Sequence, residues 1–360
     1  MKSIKKFNKM LCVTMVAVLL LSFSTIRAYA ANNMYGYARN YEGGEGSYFY
    51  ATIQSLNANR TSSNPYNFIL HTTWVGGNDK WIENGFMDGA IQEPGGKLEN
   101  HHGYYTAIGS HNESVAYSEY KIIGPSTSNG TSHAFQIQRD GTNKWGVYVD
   151  YTLRRTYTDF SMTPERMSVG LETNTTQSTS AQWNERAIQR LTSSGWKNWS
   201  SGALKVDSGI SASWDSQYTS IYTSKSVAKT ESMEEQDIMY ADSMQLVTNP
   251  DPVLKGNSEI LEGLKNGRSD TIAEYNLNSS NGEVAMNEYM TYADFLAMEG
   301  SMEEASTEIA GDRVVFVAKV YYPEGFYHIR GGFIENCMAT GIYDAETGEY
   351  LGGSFKTIAE

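Results

Sequence analysis

Glu83 and Glu172 are the two acidic residues whose surroundings suit chemistry. Glu83 lies in Trp81-Ile-Glu-Asn-Gly-Phe86 and Glu172 ends Met167-Ser-Val-Gly-Leu-Glu172. In an extended strand, side chains alternate. Trp81, Glu83 and Gly85 therefore share one face, while Ile82, Asn84 and Phe86 share the other. By the same parity Ser168, Gly170 and Glu172 lie opposite Met167, Val169 and Leu171. The second pattern has a continuous apolar face and a face of small residues leading to one carboxylate. Two such acids across a groove push their pKa values apart, which yields one proton donor and one base and hydrolyses a bond without metal, serine or cysteine. Solvated strand acids at the surface would show the same residues without the chemistry.

Other chemistries have thinner support. His101-His102 and His111 sit in a Gly/Asn-rich loop, but adjacent histidines point apart and no second pair stands at ligand spacing. No calcium-loop pattern appears, and no metal or other cofactor is expected. Gly-x-Ser-x-Gly is absent, and Gly43-Gly44-x-Gly46 precedes a strand rather than a helix, so it is no phosphate cradle. Beyond the apolar leader, Cys337 is the single cysteine, expected as a half-buried strand residue within Phe333 to Ala339.

The elements that must position the acids are strands. Ser47 to Gln54, Asn67 to Val75, His133 to Arg139 and Lys144 to Thr152 alternate and are rich in β-branched and aromatic residues. Gly43-Gly44, Asn64-Pro65, Pro94-Gly95-Gly96, Asn129-Gly130 and Asp140-Gly141 supply turns, the last a hairpin signal. This spacing predicts a mainly β chain, an antiparallel β-sandwich of jelly-roll, concanavalin-like form. One helical interruption is expected at Gln182 to Leu191, where Trp183, Ala187, Ile188 and Leu191 fall on one helical face.

Charge divides the chain. Residues 31–230 carry 16 Lys+Arg and 17 Asp+Glu, whereas 231–360 carry 7 and 24, and all seven tryptophans precede residue 215. The expected organisation is a signal peptide at 1–30, a β-sandwich at 31–228, an acidic linker at 229–256 and a small acidic α+β domain at 257–360. Lys2, Lys5, Lys6 and Lys9 followed by the apolar run Leu11 to Phe23 and Ala28-Tyr29-Ala30 have the form of a cleaved export signal, so a secreted, extracellular product is expected. Helices are expected at Ser258 to Lys265 and Glu288 to Met298, followed by strands at Arg313 to Tyr322, Gly331 to Tyr343 and Glu349 to Lys356. The acidity argues against nucleic acid and anionic membranes as partners.

The stretch Trp74-Val-Gly-Gly … Trp81-Ile-Glu-Asn-Gly-Phe86 resembles the first catalytic strand of the jelly-roll glutamic peptidases. In the neprosin group that strand is similar to Ile-Glu-x-Gly-Trp; in the eqolisin group Trp-Val-Gly is followed by an apolar-Gln-x-Gly segment. Ser168-Val-Gly-Leu-Glu172 resembles the Gly-Gly-Glu strand, and Asn129-Gly-Thr … Lys144-Trp-Gly-Val-Tyr-Val-Asp150 is similar to the central hairpin. The resemblance spans about residues 45–228. Phe86 stands for the usual tryptophan, Leu171 for the second glycine, and the cysteines and activation segment of plant neprosins have no counterpart. It implies a secreted endopeptidase acting at low pH, with Glu83 and Glu172 as the catalytic pair and Glu165 as rival for the second acid. An extended peptide substrate would pack against Trp81, Tyr104, Tyr105 and Tyr148. The alternative is a carbohydrate-active jelly roll, either a glycoside hydrolase with paired glutamates or a non-catalytic binding module with Trp196-x-x-Trp199 as its platform. The C-terminal region is expected to restrain the first domain, to target it, or to bind a partner.

Overall fold

The structure, a computed structural model, describes residues 34–52, 56, 58, 60, 66–77, 80–110, 117–122, 130–174, 182–207, 209–225, 282–299, 309–328, 330 and 332–358. The expected export signal, the linker and the helix at Ser258 to Lys265 lie outside the described residues, as does His111. No described helix is long and apolar enough to cross a membrane.

The chain runs through β1 (Met34–Asn40), β2 (Gly46–Thr52), β3 (Phe68–Gly76), β4 (Lys80–Gln92), β5 (Leu98–Ser110), β6 (Tyr117–Lys121), β7 (Ser132–Gly141), β8 (Lys144–Val149), β9 (Thr152–Tyr157) and β10 (Arg166–Thr173). It continues with β11 (Gln182–Thr192), β12 (Gly195–Asn198), β13 (Ala203–Val206), β14 (Ile210–Trp214), β15 (Ser220–Lys225) and β16 (Glu283–Thr291). After the short helix α1 (Tyr292–Met298) come β17 (Val314–Tyr322), β18 (Phe326–His328), β19 (Gly332–Ile334), β20 (Cys337–Asp344) and β21 (Tyr350–Thr357). Strand pairing is antiparallel throughout. An 11-stranded sheet has the order β13-β1-β10-β3-β4-β5-β6-β21-β20-β17-β16. An 8-stranded sheet has the order β14-β15-β11-β2-β7-β8-β9, with β12 beside β11, and β18–β19 form a separate two-stranded sheet.

The two large sheets pack face to face as a sandwich. Ile69, Val75, Ile82, Phe86, Met167, Val169 and Leu171 of the larger sheet meet Phe49, Phe135, Ile137, Trp145, Val147 and Val149 of the smaller. These are the apolar faces read from the alternation, and burying them is what joins the layers. Asn84 shares this face with Ile82 and Phe86, and its Nδ2 donates to the Gln136 and Tyr148 carbonyls at 3.2 and 2.8 Å. A buried amide thus pins one sheet to the other.

Two expectations need correction. Gln182 to Leu191 is a strand, not a helix. Ala187 has φ 53° and the β2–β11 register shifts between Arg186 and Gln189. The bulge leaves Ala187 exposed and Ile188 buried, so these two residues do not share the face that helical spacing assigned them. Likewise, Glu288 to Met298 begins as the end of β16. The helix starts only after Thr291, whose Oγ1 accepts from the Asp294 N–H at 3.1 Å.

The C-terminal strands do not form a small α+β domain of their own. Gly352–Phe355 of β21 pair with Tyr117–Tyr120 of β6, so β16, β17, β20 and β21 extend the first half's sheet. These strands belong to the same compact unit as the first half. Their apolar residues bury against the side of β3–β6 that the sandwich leaves uncovered. Phe316, Val320, Tyr322, Phe326, Tyr350 and Phe355 join Phe68, Leu70, Met87, Ile91 and Tyr105 in a second core. Cys337 is fully buried there, and burial pushes its thiol up to about 12. In the chain lacking residues 1–30, which carry Cys12, dithionitrobenzoate is therefore expected to leave the Cys337 thiol unmodified at pH 8 and to titrate one thiol in urea; rapid labelling without denaturant would contradict this burial.

Candidate active site

Glu83 and Glu172 lie on the same face of the larger sheet, the one turned toward the second core. Across the sheet, Tyr37, Gly170, Thr72, Gly85 and Tyr105 form one row of paired residues. Glu172 stands on one side of this row, next to the Leu70 pairing, and Glu83 on the other, opposite Trp74. The row's middle is small, so both carboxylates lean over Thr72. Its ends are tyrosines that hold them. Tyr37 Oη donates to Glu172 Oε2 at 2.9 Å, and Tyr105 Oη donates to Glu83 Oε2 at 2.9 Å. Burial first, then the nearby carboxylates, raises both phenols well above their usual pKa, so both remain proton donors.

Trp81 completes the setting of Glu83. Its Nε1 donates to Glu83 Oε1 at 3.0 Å, and its ring stacks on Trp74 with centroids 6.5 Å apart. A Cβ added to Gly109 would stand 2.0 Å from the Trp81 ring, so glycine there is the bed on which the indole lies.

Two further residues enter the site unannounced by sequence reasoning. Glu119 belongs to the same lateral row as Glu83, separated from it by Ala107. Arg330, 247 residues downstream of Glu83, reaches in from the β18–β19 turn. Its Nη2 donates to Glu83 Oε2 at 2.6 Å and lies 3.8 Å from Glu172 Oε2; its Nη1 donates to Glu119 Oε1 at 3.1 Å. One guanidinium nitrogen therefore spans the gap between the two glutamates. Phe68, Tyr105 and Tyr117 surround the same guanidinium, their ring centroids 5.3, 5.5 and 5.8 Å from its carbon. Burial opposes the Arg330 charge, yet Tyr117, Glu83, Glu172 and Tyr105 outweigh it and hold the guanidinium ionised. Burial raises the Glu119 carboxyl, against the pull of Arg330, to about 7. His328 packs against Tyr117 with tilted rings, centroids 4.4 Å apart, and burial and the Arg330 charge keep it neutral.

The other expected site residues fall elsewhere. Glu165 is exposed in the segment before β10, near Gly77. Tyr104 lies between the two large sheets and bonds His133 Nδ1 at 2.9 Å. Tyr148, on the smaller sheet, donates to Asp140 at 2.8 Å. Trp199 is buried against Trp214, so Trp196-x-x-Trp199 is not a surface platform. Only Trp81 and Tyr105, of the four aromatic residues expected to contact substrate, touch the carboxylate pair. His101 bonds the Tyr104 carbonyl and His102 bonds Asp88, and no cluster of metal-ligating residues occurs among the described residues. Tyr104 and Tyr105 are neighbours on β5, so alternation turns them to opposite faces and they cannot both line one substrate groove; Tyr148 is on the other sheet altogether.

No protein family and no curated protein matches the sequence. Among solved structures, the fold is similar to SCP-B, an eqolisin-family peptidase in complex with the tripeptide Ala-Ile-His. The two are 8% identical with TM-score 0.36, over 54% of this chain and 99% of that one. It is also similar to the β-porphyranase BpGH16B of the human gut bacterium Bacteroides plebeius, at 11% identity and TM-score 0.23, over 37% of this chain and 53% of that one. These likenesses are loose; the layered antiparallel architecture rests on the strand pairing itself.

Proposed function

We propose that the chain is a glutamic-type endopeptidase in which Glu83 and Glu172 activate water. The supporting observation is that both carboxylates share one face and one guanidinium nitrogen, each held by a tyrosine from opposite ends of a row of small residues. In such a pair one carboxylate, ionised, takes a proton from the water that attacks the scissile carbonyl. The other, protonated, hydrogen-bonds the developing oxyanion and then gives its one proton to the leaving amine, so the pair ends with the proton taken from water on the first carboxylate. The reaction therefore needs one acid neutral and belongs at low pH. Tyr37 and Tyr105 fix the two carboxylates in place.

The test is digestion of casein at pH 3 to 5 by the full chain. Replacing either acid, Glu83→Gln or Glu172→Gln, is expected to lower kcat/KM by about 100-fold or more, the size typical of a lost acid or base. Digestion that survives Glu83→Gln rules the peptidase out. Gly109→Val provides an indirect test. It displaces Trp81 and its bond to Glu83, and is expected to lower kcat with little change in KM.

A further inference from the structure

The occupant of the carboxylate site is the chain's own arginine, and its surroundings are those of a ligand site. Three buried carboxylates converge on one cation. Glu83 and Glu119 take the two arms of the guanidinium fork, Glu172 stands behind, and three aromatic rings enclose the group. The planar fork and the rings suit a guanidinium better than an ammonium. The element that delivers Arg330 is seated on the second core by side chains. Among the described residues β18 and β19 pair with each other and with no other strand, over Phe326↔Ile334, Tyr327↔Phe333 and His328↔Gly332. A hairpin of that size is marginal alone. It is seated by side chains: Phe326 stacks on Phe355 at 5.0 Å, His328 lies 4.7 Å from Phe355, and Gln92 Nε2 donates to the Tyr327 carbonyl at 3.2 Å.

We infer that Glu83, Glu119 and Glu172 form a guanidinium-binding cage in which Arg330 is a built-in competitor, so that guanidinium-bearing ligands, arginine side chains of peptides among them, bind once Arg330 is withdrawn. The binding site needs no catalysis; only the inhibitory consequence rests on the peptidase proposed above. While Arg330 bridges the pair, a water or carbonyl must displace it to stand between Glu83 and Glu172, so activity is restrained rather than abolished.

The probe is methylguanidinium chloride at low millimolar concentration, with methylurea as the neutral isostere and sodium chloride as the ionic control. Arg330→Ala is expected to show a saturable rise in Tm of several degrees with methylguanidinium and none with either control. Adding Glu83→Gln is expected to weaken that response at least tenfold in apparent Kd. Arg330→Ala leaves three acidic groups facing one another, which opposes folding, so Glu119→Gln/Arg330→Ala, with one acidic group fewer, is measured beside it. Refolding of either variant by methylguanidinium but not methylurea supports the cage. A folded variant with no saturable response, or unfolded variants that methylguanidinium does not rescue, overturns it. In the acid casein digest, Arg330→Ala is expected to be at least tenfold more active than the unmodified chain, and methylguanidinium to reverse the gain. Binding without any gain in activity keeps the cage but overturns the inhibitory role of Arg330; the peptidase itself falls if no variant digests casein or if digestion survives Glu83→Gln. A gain that methylguanidinium does not reverse overturns the competitor role.

Discussion

The stability advantage of the unmodified chain over Glu119→Gln is expected to shrink by up to about 3 kcal/mol as pH rises from about 4.5 to about 7.5. Glu119 is fully buried, and its carboxyl is raised from 4.5 in the unfolded chain to about 7 in the fold, chiefly by burial. Between those values the folded state binds more protons than the unfolded state, so this group's contribution to stability falls as pH rises. Below about 4.5 both states hold the proton and the contribution is complete; above about 7 it is gone. Glutamine does not titrate, so its curve lacks this component. The difference is the readout, because other groups slope the opposite way. Burial lowers His101 to about 3 and holds His328 well below 6.5, so both favour folding more strongly as pH rises toward 6.5. Glu99, held near 2 by Lys121 and Lys97 against the effect of burial, acts only below the window. Urea denaturation of both proteins at half-unit steps measures the difference. A constant gap from pH 4.5 to 7.5 would mean that Glu119 is ionised in the fold throughout.

The carboxylate that sets this slope shows where sequence reading stops. Alternation placed Glu83 with Trp81 and Gly85, and Glu172 with Ser168 and Gly170, because a strand with one apolar face leaves no choice of side. Both faces are as expected, and they are the same face of one sheet. Tyr117-Ser-Glu-Tyr-Lys121 alternates too, but nothing local says that β6 follows β5 in the sheet with Glu119 in the row of Glu83. Arg330 was further from view, since its partners lie 247 and 211 residues earlier. The charge step near residue 230 suggested a boundary between bodies. It marks instead the segment after which the chain returns to the first sheet, and residues 352–355 pair with 117–120 at a separation no local pattern encodes. The groove expected to lie open for a ligand is filled by this return.

Gly85→Ala is expected to destabilise the fold by about 4 kcal/mol or more, the range reserved for changes that a packed interior cannot absorb. Gly85 pairs with Thr72 across β3 and β4, and a Cβ built there would lie 1.9 Å from the His71 carbonyl oxygen and 2.9 Å from the Thr72 Cα. Both obstacles are backbone, so no rotamer change makes room and the strands themselves must part. Gly141→Ala is the control. Its Cβ would meet only the Lys144 side chain at 3.6 Å, an ordinary contact, and the expected loss is under about 1 kcal/mol. Urea midpoints at pH 6 separate the two, and a Gly85→Ala loss as small as the control's would show that β3 and β4 are further apart at this pairing. The position matters beyond stability. Gly85 and Gly170 flank Thr72 in the row over which Glu83 and Glu172 lean. A methyl group that forces β3 from β4 moves Glu83, two residues away on β4, relative to Glu172 on β10. The small residues that let the strands approach closely are thus the same ones that let two carboxylates from different strands meet at one guanidinium.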